Sequence, residues 1–424
     1  MDRQLDFTYN PDTFPDFPLY VRQLKENGIK FVPIVDPGIA FDGLRGQYRA
    51  LDLGEELDIW VKRPDGTPVV GAVWPGDTYF PDFSKPAAQR YWTTLLQDYK
   101  DLVDYDAIWI DMNEIASWGV GDIKQGCANN SINNPPYVGA IKNGLLADAT
   151  ICADAVQDYG IQYDTHNLYG WKECEVTDKA LKEVLNKRSF VLTRANFVGF
   201  GKWATHWIGG DNWSVWSHLG LSVIMMLQYN QFGAPYVGAD ICGFAGPSNK
   251  NLCQRWQELG AFYPFSRNHN SAGNPEQDPG TWPEVAEATR KALAVRYTLL
   301  PSLYTLFFHH VTEGNTVVRA LWHEFPRDTT ARDVDRQFLW GSGILISPVM
   351  EEDVTQLEAY FPPGARWFDY YTGTEVQTGQ QILDAPLDHI NVHVRGGGIY
   401  PTQAPALNTV LSRQNPFGLI VALS

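Results

Sequence analysis

Short apolar runs alternate with amphipathic stretches over the first two thirds of the chain. The amphipathic stretches have the spacing of surface helices, as in FPDFPLYVRQLKEN (14–27) and KPAAQRYWTTLLQDYKDLV (85–103). The apolar runs that follow such stretches are FVPIVD (31–36), AIWID (107–111), SFVLTR (189–194) and APYVGAD (234–240). Strands that are apolar throughout are typical of a parallel sheet covered by helices on both faces. The pattern therefore predicts an α/β fold.

Polar residues stand where the predicted strands end. These residues are Asp36, Asp111, Arg194, Asp240 and, after FYPFSRN, His269. Active sites form at the carboxyl ends of the strands in a (β/α)8 barrel, and a doubly wound sheet binds its ligands at the same ends. The chain has neither a glycine-rich dinucleotide motif nor a phosphate loop. We therefore expect a (β/α)8 TIM-type barrel.

The pattern changes after a long helical stretch, EVAEATRKALAVRYTLLPSLYTLFFHHV (284–311). Short apolar runs punctuated by Gly, Pro and Asp follow, which is typical of an all-β sandwich. We predict a barrel over 1–320, with a long loop insertion at 119–170, and a β-sandwich region over 321–424.

Composition limits the binding partners. The 424 residues include 33 Lys and Arg against 49 Asp and Glu, for a net charge of -16, and no basic cluster stands out. Nucleic-acid binding needs dense positive charge, so we exclude it. The longest apolar run, near LGLSVIMML (219–227), is too short to span a bilayer. Aromatic residues make up 13% of the chain, including 15 Trp, and flat aromatic surfaces suit sugar rings as well as protein cores.

The five cysteines contain no C-x-x-C pair. Their spacing permits the bridges Cys127–Cys152 and Cys242–Cys253, with Cys174 left over. Asn129 opens an N-x-S glycosylation signal in a loop-like stretch, which points to the secretory pathway, although the first residues, MDRQLDFTYN, lack the apolar core of a signal peptide. We expect a secreted or lysosomal or vacuolar protein.

The acid pair in AIWIDMNEIASW (107–118) has two interpretations. Asp111 and Glu114 have the spacing of a variant capping box, which would begin a helix. They are also carboxyl groups at a barrel strand end, where glycoside hydrolysis needs one ionised and one protonated carboxyl. For the protonated partner we consider Asp211 in THWIGGDNWSVW, because nearby tryptophans would raise its pKa. Asp211 could instead cap a helix that begins near Ser214.

Two other kinds of site have weaker support. Asp36, Asp111 and Asp240 with His269 could bind a metal, but the short His spacings of a zinc site are missing. A serine hydrolase would need a G-x-S-x-G turn, which the chain lacks. We expect no metal and no cofactor.

Long motifs in the chain resemble the glycoside hydrolase family 31 α-glucosidases. They are WIDMNE, NNPPYV, HNLYG, GADICGF and GAFYPFSRNHNS, and the resemblance covers nearly the whole chain. It implies that Asp111 is the nucleophile, that Glu114 is an active-site residue and that Asp211, which follows His206 and Trp207, is the general acid/base. The resemblance also implies a larger set of substrate-binding residues, namely Asp36, Trp74, Trp109, Met112, Arg194, Trp207, Asp240, Phe244, Arg267 and His269.

The sequence departs from the family pattern in two places. The acid motif reads HWIGGDN, one glycine longer than expected, and such an insertion could shift Asp211. Asn212 within it opens a second glycosylation signal, which we expect to stay unused beside the acid. The chain also resembles a fragment, lacking the N-terminal β domain, two barrel strands and the C-terminal end. Six strands cannot close an eight-stranded barrel, so a second chain could supply the missing part.

The resemblance implies a retaining, exo-acting α-glucosidase. Its substrates would be maltose, malto-oligosaccharides and the ends of starch or glycogen, cut at nonreducing α-1,4-linked glucose. Two alternatives stay open: a related α-xylosidase or glucan lyase, and a noncatalytic carbohydrate-binding remnant of the fold.

Overall fold

The computed structural model describes residues 1–208 and 210–424, without the side chain of Lys142. Contacts divide the chain into two compact units, Met1–Ala204 and Thr205–Ser424, here called the N-terminal and C-terminal units. This division falls inside the region predicted to be a barrel, and the boundary predicted at residue 320 stays a prediction.

The N-terminal unit alternates helices and short strands. Its helices are α1 (Phe17–Glu26), α2 (Arg49–Glu56), α3 (Ala88–Leu102), α4 (Gln162–Thr165) and α5 (Tyr169–Leu185). Its strands are β1 (Ile34–Val35), β2 (Ile39–Ala40), β3 (Gly71–Val73), β4 (Gly76–Tyr79), β5 (Ile108–Ile110), β6 (Val156–Gln157), β7 (Gly160–Ile161) and β8 (Val191–Thr193). Short 3-10 turns occupy Lys142–Gly144, His166–Leu168 and Phe200–Lys202.

A parallel sheet of β1, β5 and β8, in that order, carries the strand ends of the N-terminal unit. All three strands come from the predicted apolar runs. Their register pairs Val35 with Ile110 and Ile110 with Thr193, so the three strands end level with one another. Helices α3 and α5 pack together, and Trp92 Nε1 donates to Thr177 Oγ1 at 2.9 Å within their buried interface.

The predicted loop at 119–170 is held at both ends. The disulfide Cys127–Cys152 forms as expected. Asp122 is buried and receives a hydrogen bond from Arg63 at 2.7 Å and another from the backbone of Val70 at 2.9 Å. The long connection is therefore fastened to the N-terminal unit.

The C-terminal unit begins with strands and helices and ends in β structure. Its helices are α6 (Trp216–Gln231), α7 (Lys250–Gly260), α8 (Pro283–Glu313), α9 (Leu321–Glu324) and α10 (Thr409–Ser412), with 3-10 turns at Pro279–Thr281 and Ala331–Asp333. Its strands are β9 (Thr205–Trp207), β10 (Val237–Gly238), β11 (Asp240–Ile241), β12 (Arg267–Asn268), β13 (Val318–Arg319), β14 (Phe338–Trp340), β15 (Ile344–Ser347), β16 (Gln356–Phe361), β17 (Trp367–Asp369), β18 (Glu375–Val376), β19 (Gly379–Asp384), β20 (Asn391–Arg395), β21 (Ile399–Gln403) and β22 (Phe417–Val421).

Parallel and antiparallel pairings separate along the C-terminal unit. β9 pairs with β10, and β11 with β12, in parallel. From β13 onward the pairing is antiparallel, in a six-stranded sheet ordered β13-β14-β15-β20-β17-β18 and in the two-stranded sheets β16–β19 and β21–β22. The second disulfide, Cys242–Cys253, also forms as expected, and Cys174 of α5 is a buried free thiol.

One hydrophobic core serves both parts of the C-terminal unit. Buried side chains of α6, α7 and α8 cluster with those of β14, β15 and β20. Trp340 of β14 donates from Nε1 to the Phe262 carbonyl at 2.8 Å. Arg255 of α7 is 2% exposed and donates to the carbonyls of Val354, Ala385 and Pro386. Helices and β structure are therefore packed as one body within this unit.

Candidate active site

The sheet of the N-terminal unit brings three predicted site residues side by side. Asp36, Asp111 and Arg194 each follow the last residue of a strand, and the register of β1, β5 and β8 places those last residues in a row. The backbone continues the pairing by one step, because Asp111 N donates to Val35 O and Arg194 N donates to Ile110 O, both at 3.3 Å. The side chains thus share one edge of the sheet.

Arg194 joins two of the carboxylates. Its Nη1 lies 3.0 Å from Asp111 Oδ1. Its Nε and Nη2 donate to Glu114 Oε1 and Oε2 at 2.8 and 2.9 Å, a bidentate pair. The same Nη2 lies 3.1 Å from Met112 Sδ. A cation this close stabilises the ionised form of Asp111, which a nucleophile requires.

Asp36 is the buried member of the acid group. It is 3% exposed, and its Oδ1 has no hydrogen-bond partner among the described residues. Burial, with repulsion from Asp111 and Glu114 that Arg194 only partly offsets, raises the pKa of Asp36 to about 7. Three carboxyl groups therefore interact electrostatically with one guanidinium, and Asp36 can hold a proton near neutral pH.

The structure contradicts the capping-box interpretation of Asp111 and Glu114. Residues 111–118 form turns rather than a helix. Asp111 Oδ1 accepts a hydrogen bond from the backbone of Met112 at 2.7 Å, but Glu114 binds Arg194 instead of reaching back to Asp111. Met112 has a φ of 53°, a left-handed conformation that costs an L residue on the order of 1 kcal/mol and is concentrated at functional sites.

Asn113 positions Arg194 by binding the residues on either side of it, a role that the sequence did not predict. It is fully buried. Its Nδ2 donates to Thr193 Oγ1 at 3.0 Å, and its Oδ1 accepts from the Ala195 backbone at 2.8 Å. Asn113 thereby binds the residues on both sides of Arg194. Gly170 of α5 leaves the room this needs, because a Cβ there would lie 2.6 Å from Asn113 O.

Aromatic residues lie next to the acid group in the N-terminal unit. Val73, Met112 and Ala116 form a small buried cluster, which places the neighbouring Trp74 beside the acid turn. Trp74 and Trp118 meet edge to face, with ring centroids 5.0 Å apart, and are 51% and 59% exposed. Trp118, the last residue of AIWIDMNEIASW (107–118), was not selected as a site residue from the sequence. Trp109 lies on β5, half-buried.

Two more buried acids lie behind this group and were also missed. Asp6 is 1% exposed and accepts from the Asp36 backbone at 2.8 Å. Glu173 of α5 is fully buried. Burial first, and then repulsion from Asp36, raises the pKa of each of these carboxyls well above its ordinary value. Isolated acids far from a strand end carry no sequence pattern by which they could have been selected.

The C-terminal unit assembles a second group of predicted residues. β11 and β12 pair Asp240 with Arg267, and Arg267 donates from Nε and Nη2 to Asp240 Oδ1 at 2.9 and 2.7 Å. The Arg267 guanidinium lies 4.8 Å from the ring centroid of Trp207, which is 2% exposed. Asp240 is fully buried, so the ion pair fixes Arg267 and in turn its contact with Trp207.

His269 and Phe244 form a stacked pair in the same unit. Their ring centroids are 5.3 Å apart and their planes differ by 28°. Burial and the positive charge of Arg267 lower the pKa of His269 to about 4. The imidazole is therefore neutral above about pH 5 and suited to hydrogen bonding.

Asp211 is exposed, on an irregular segment of the C-terminal unit. Gly209, one of the two glycines in the acid motif, lies outside the described residues. The capping alternative for Asp211 fails, because α6 begins at Trp216 with Val215 as its cap residue and no side-chain cap bond. Its neighbour Asn212 is buried and donates to the Asp240 carbonyl at 3.0 Å.

Comparisons with known proteins identify the family. The sequence matches the Glycosyl hydrolases family 31 TIM-barrel domain over residues 1–306 and the Glycosyl hydrolase family 31 C-terminal domain over residues 314–400. The chain belongs to glycoside hydrolase family 31. The family 31 fold confirms the predicted TIM-type barrel followed by β structure.

Curated relatives match the whole chain. It is 44% identical to the lysosomal alpha-glucosidase of Mus musculus over 445 residues, covering 100% of this chain and 46% of the relative. It is also 44% identical to the intestinal sucrase-isomaltase of Suncus murinus over 432 residues, covering 100% of this chain and 24% of the relative. The chain thus spans about a quarter to just under half of the length of these relatives.

Solved structures of glucosidases have a fold similar to that of this chain. Glucosidase II alpha subunit and an ER glucosidase II heterodimeric complex, of a catalytic subunit and the binding domain of a regulatory subunit, each match with a TM-score of 0.89 and 30% identity, covering 100% of this chain and 44% of theirs.

Neither a membrane-spanning helix nor a metal-binding cluster is found within residues 1–208 and 210–424. No helix there is both long enough and apolar enough to cross a bilayer. No group of three or more His, Cys, Asp or Glu side chains among these residues is arranged to hold a metal ion.

Proposed function

We propose that this chain carries the catalytic and glucose-binding residues of a retaining, exo-acting α-glucosidase. Its substrates are maltose and malto-oligosaccharides, cut at the nonreducing α-1,4-linked glucose. The observation that carries the proposal is the guanidinium of Arg194 between Asp111 and Glu114 at the carboxyl edge of the sheet. The family 31 relatives named alpha-glucosidase support the sugar class.

Asp111 is the proposed nucleophile. Its carboxylate oxygen forms a bond to the anomeric carbon while the glycosidic C–O bond breaks, and Asp211 gives its proton to the leaving oxygen. A water molecule then attacks the anomeric carbon, Asp211 takes a proton from that water, and the bond to Asp111 breaks. The two inversions give net retention, which needs carboxyl groups roughly 5–5.5 Å apart.

The other site residues bind the sugar in this proposal. Asp36 accepts a hydrogen bond from one glucose hydroxyl, because its Oδ1 has no partner among the described residues. Arg194 donates a hydrogen bond to another hydroxyl. Neutral His269 hydrogen-bonds another hydroxyl, and Asp240 supports Arg267 through their ion pair. The exposed pair of Trp74 and Trp118 offers faces on which a sugar ring of the leaving chain can pack.

Compartment and partners follow from separate observations. Two disulfides are typical of an oxidising compartment, which favours the secretory pathway and, among the expected locations, a secreted or lysosomal enzyme. The expectation of a second chain that supplies further barrel strands stays a prediction, as does the division at residue 320.

A fluorinated glucosyl inactivator tests the nucleophile. It forms a slowly hydrolysed glucosyl ester, and peptide mapping by mass spectrometry should find the label on Asp111. The variant Asp111→Asn should not be labelled. A folded protein labelled at another residue, or unlabelled, would contradict the assignment.

The acid/base role and the substrate have their own tests. Asp211→Ala should lose maltose hydrolysis but regain turnover of an activated aryl α-glucoside when azide is added, giving α-glucosyl azide. Maltose binding without glucose release would favour a carbohydrate-binding protein. A preference for aryl α-xyloside would favour an α-xylosidase, and an anhydro sugar product would favour a lyase.

A further inference from the structure

The two N-x-S signals of the chain differ in their surroundings. Asn129 lies exposed on the loop that begins after Trp118, whereas Asn212 is 3% exposed. We propose that Asn129 is an N-glycosylation site of this protein and that Asn212 stays unmodified in the folded molecule. The proposal rests on the secretory route inferred above and is independent of the catalytic assignment.

The turn around Asn129 presents its side chain to solvent. The Cys127–Cys152 disulfide holds the loop two residues earlier. The side chain of Asn130 is used within the turn, since its Oδ1 accepts from the backbones of Ile132 and Asn133 at 3.0 and 2.9 Å and its Nδ2 donates to Asp154 at 2.8 Å. The side chain of Asn130, rather than that of Asn129, therefore stabilises this turn.

The acceptor atoms themselves are available. Asn129 Oδ1 accepts only a long hydrogen bond of 3.4 Å from Asn134, and Asn129 Nδ2 has no acceptor in the part of the chain that the structure describes. Ser131, the third residue of the signal, is also exposed. A large hydrophilic glycan needs a surface position of this kind.

Asn212 fails the same requirements. Its Nδ2 donates to the Asp240 carbonyl at 3.0 Å, and its own carbonyl accepts from the backbones of Phe244 and Ala245 at 2.7 and 3.0 Å. A sugar on Nδ2 would take one of the two amide hydrogens and would need space in a closely packed interior. A chain modified at Asn212 could not reach this fold.

The chemistry is a transfer from a lipid-pyrophosphate-linked oligosaccharide. A bond forms between Asn129 Nδ2 and the first carbon of the sugar, and the bond from that carbon to the pyrophosphate oxygen breaks. The lipid pyrophosphate leaves with the electron pair, and the amide nitrogen loses one proton. The transferase and its lipid donor belong to the secretory compartment.

Secretion of the whole chain from eukaryotic cells tests the proposal. The folded protein is treated with an amidase that releases N-glycans in heavy-oxygen water, which converts a glycosylated Asn into heavy-labelled Asp. Peptide mapping should show the label at Asn129 and ordinary Asn at position 212. Ser131→Ala should abolish the glycan-dependent gel shift, and the matched control Ser131→Thr should keep it.

Two results would contradict glycosylation at Asn129 alone. Secreted protein with both disulfides formed but with unmodified Asn129 would overturn the proposal, and so would a heavy label at position 212 in folded protein. If Ser131→Ala is not secreted, Asn129→Gln supplies the same comparison within the cell extract, where loss of the shift supports the site. A glycan at Asn129 on a protein that releases no glucose would leave this proposal standing and contradict the enzymatic one.

Discussion

Replacing Asp36 with Asn should stabilise the protein at neutral pH while abolishing its activity. Asp36 is buried beside Asp111 and Glu114, and its pKa is raised to about 7. An amide has nearly the shape of the protonated carboxyl but never ionises. The variant therefore removes a charge that the fold tolerates poorly, and it also removes a proposed acceptor for a glucose hydroxyl.

The size and sign of the stability effect follow from proton linkage. The unfolded chain loses the proton near pH 3.8, whereas the folded protein keeps it until about pH 7. Between these values the folded state binds the extra proton, so the free energy of unfolding of the wild type falls as pH rises. At about 1.36 kcal/mol for each pH unit, the gap corresponds to about 4 kcal/mol at most. Asp36→Asn does not suffer this loss.

Urea unfolding at pH 5 and pH 8 measures the difference. The gain in unfolding free energy of Asp36→Asn over the wild type should be several-fold larger at pH 8 than at pH 5, and kcat/KM for maltose should fall to near background. Asp12→Asn, on the exposed surface of the same unit, should change neither quantity. Equal pH dependence in wild type and Asp36→Asn would refute the reasoning about this carboxyl.

Three further changes test the neighbouring residues. Arg194→Lys cannot keep the bidentate bond to Glu114, so kcat/KM should fall roughly 10–100-fold; a fall in melting temperature without loss of activity would contradict this. Asn113→Ala removes the two side-chain bonds to the neighbours of Arg194, so the free energy of unfolding should drop by about 1–3 kcal/mol in urea titrations, and an unchanged midpoint would argue against this role of Asn113. Trp118→Ala should raise KM for maltotriose several-fold and leave turnover of an aryl α-glucoside intact, whereas equal losses on both would place Trp118 elsewhere.

Elements with a strong apolar period could be predicted from the sequence. α1, α3 and the apolar strands β1, β5, β8 and β10 lie within the segments selected by pattern, and α8 extends slightly beyond its predicted stretch at both ends. α7 was missed because its buried face includes Gln254, Arg255, Gln257 and Glu258, and the carbonyls that Gln254 and Arg255 bind lie far along the chain. The small sheet of β2, β4 and β3 was missed because its strands are two to four residues long and contain Gly, Asp and Thr.

The candidate site shows the same limit. Polarity at strand ends is a local property, so Asp36, Asp111 and Arg194 could be placed at one edge before any coordinates. The bond between Arg194 and Glu114 joins residues 80 positions apart, and no spacing rule predicts it. The burial that raises the pKa of Asp36 depends on packing of the whole unit, including Asp6.

Arg255 and Trp340 link the two regions of this chain that match the family domains. The TIM-barrel match ends at residue 306 and the C-terminal match begins at 314, yet these two side chains reach across that boundary to bury backbone carbonyls. A chain cut between the matches would leave the Arg255 guanidinium without its carbonyl acceptors in one fragment and those carbonyls without their donor in the other. Exchanging the C-terminal domain between relatives would therefore require transplanting the helix that bears Arg255 as well.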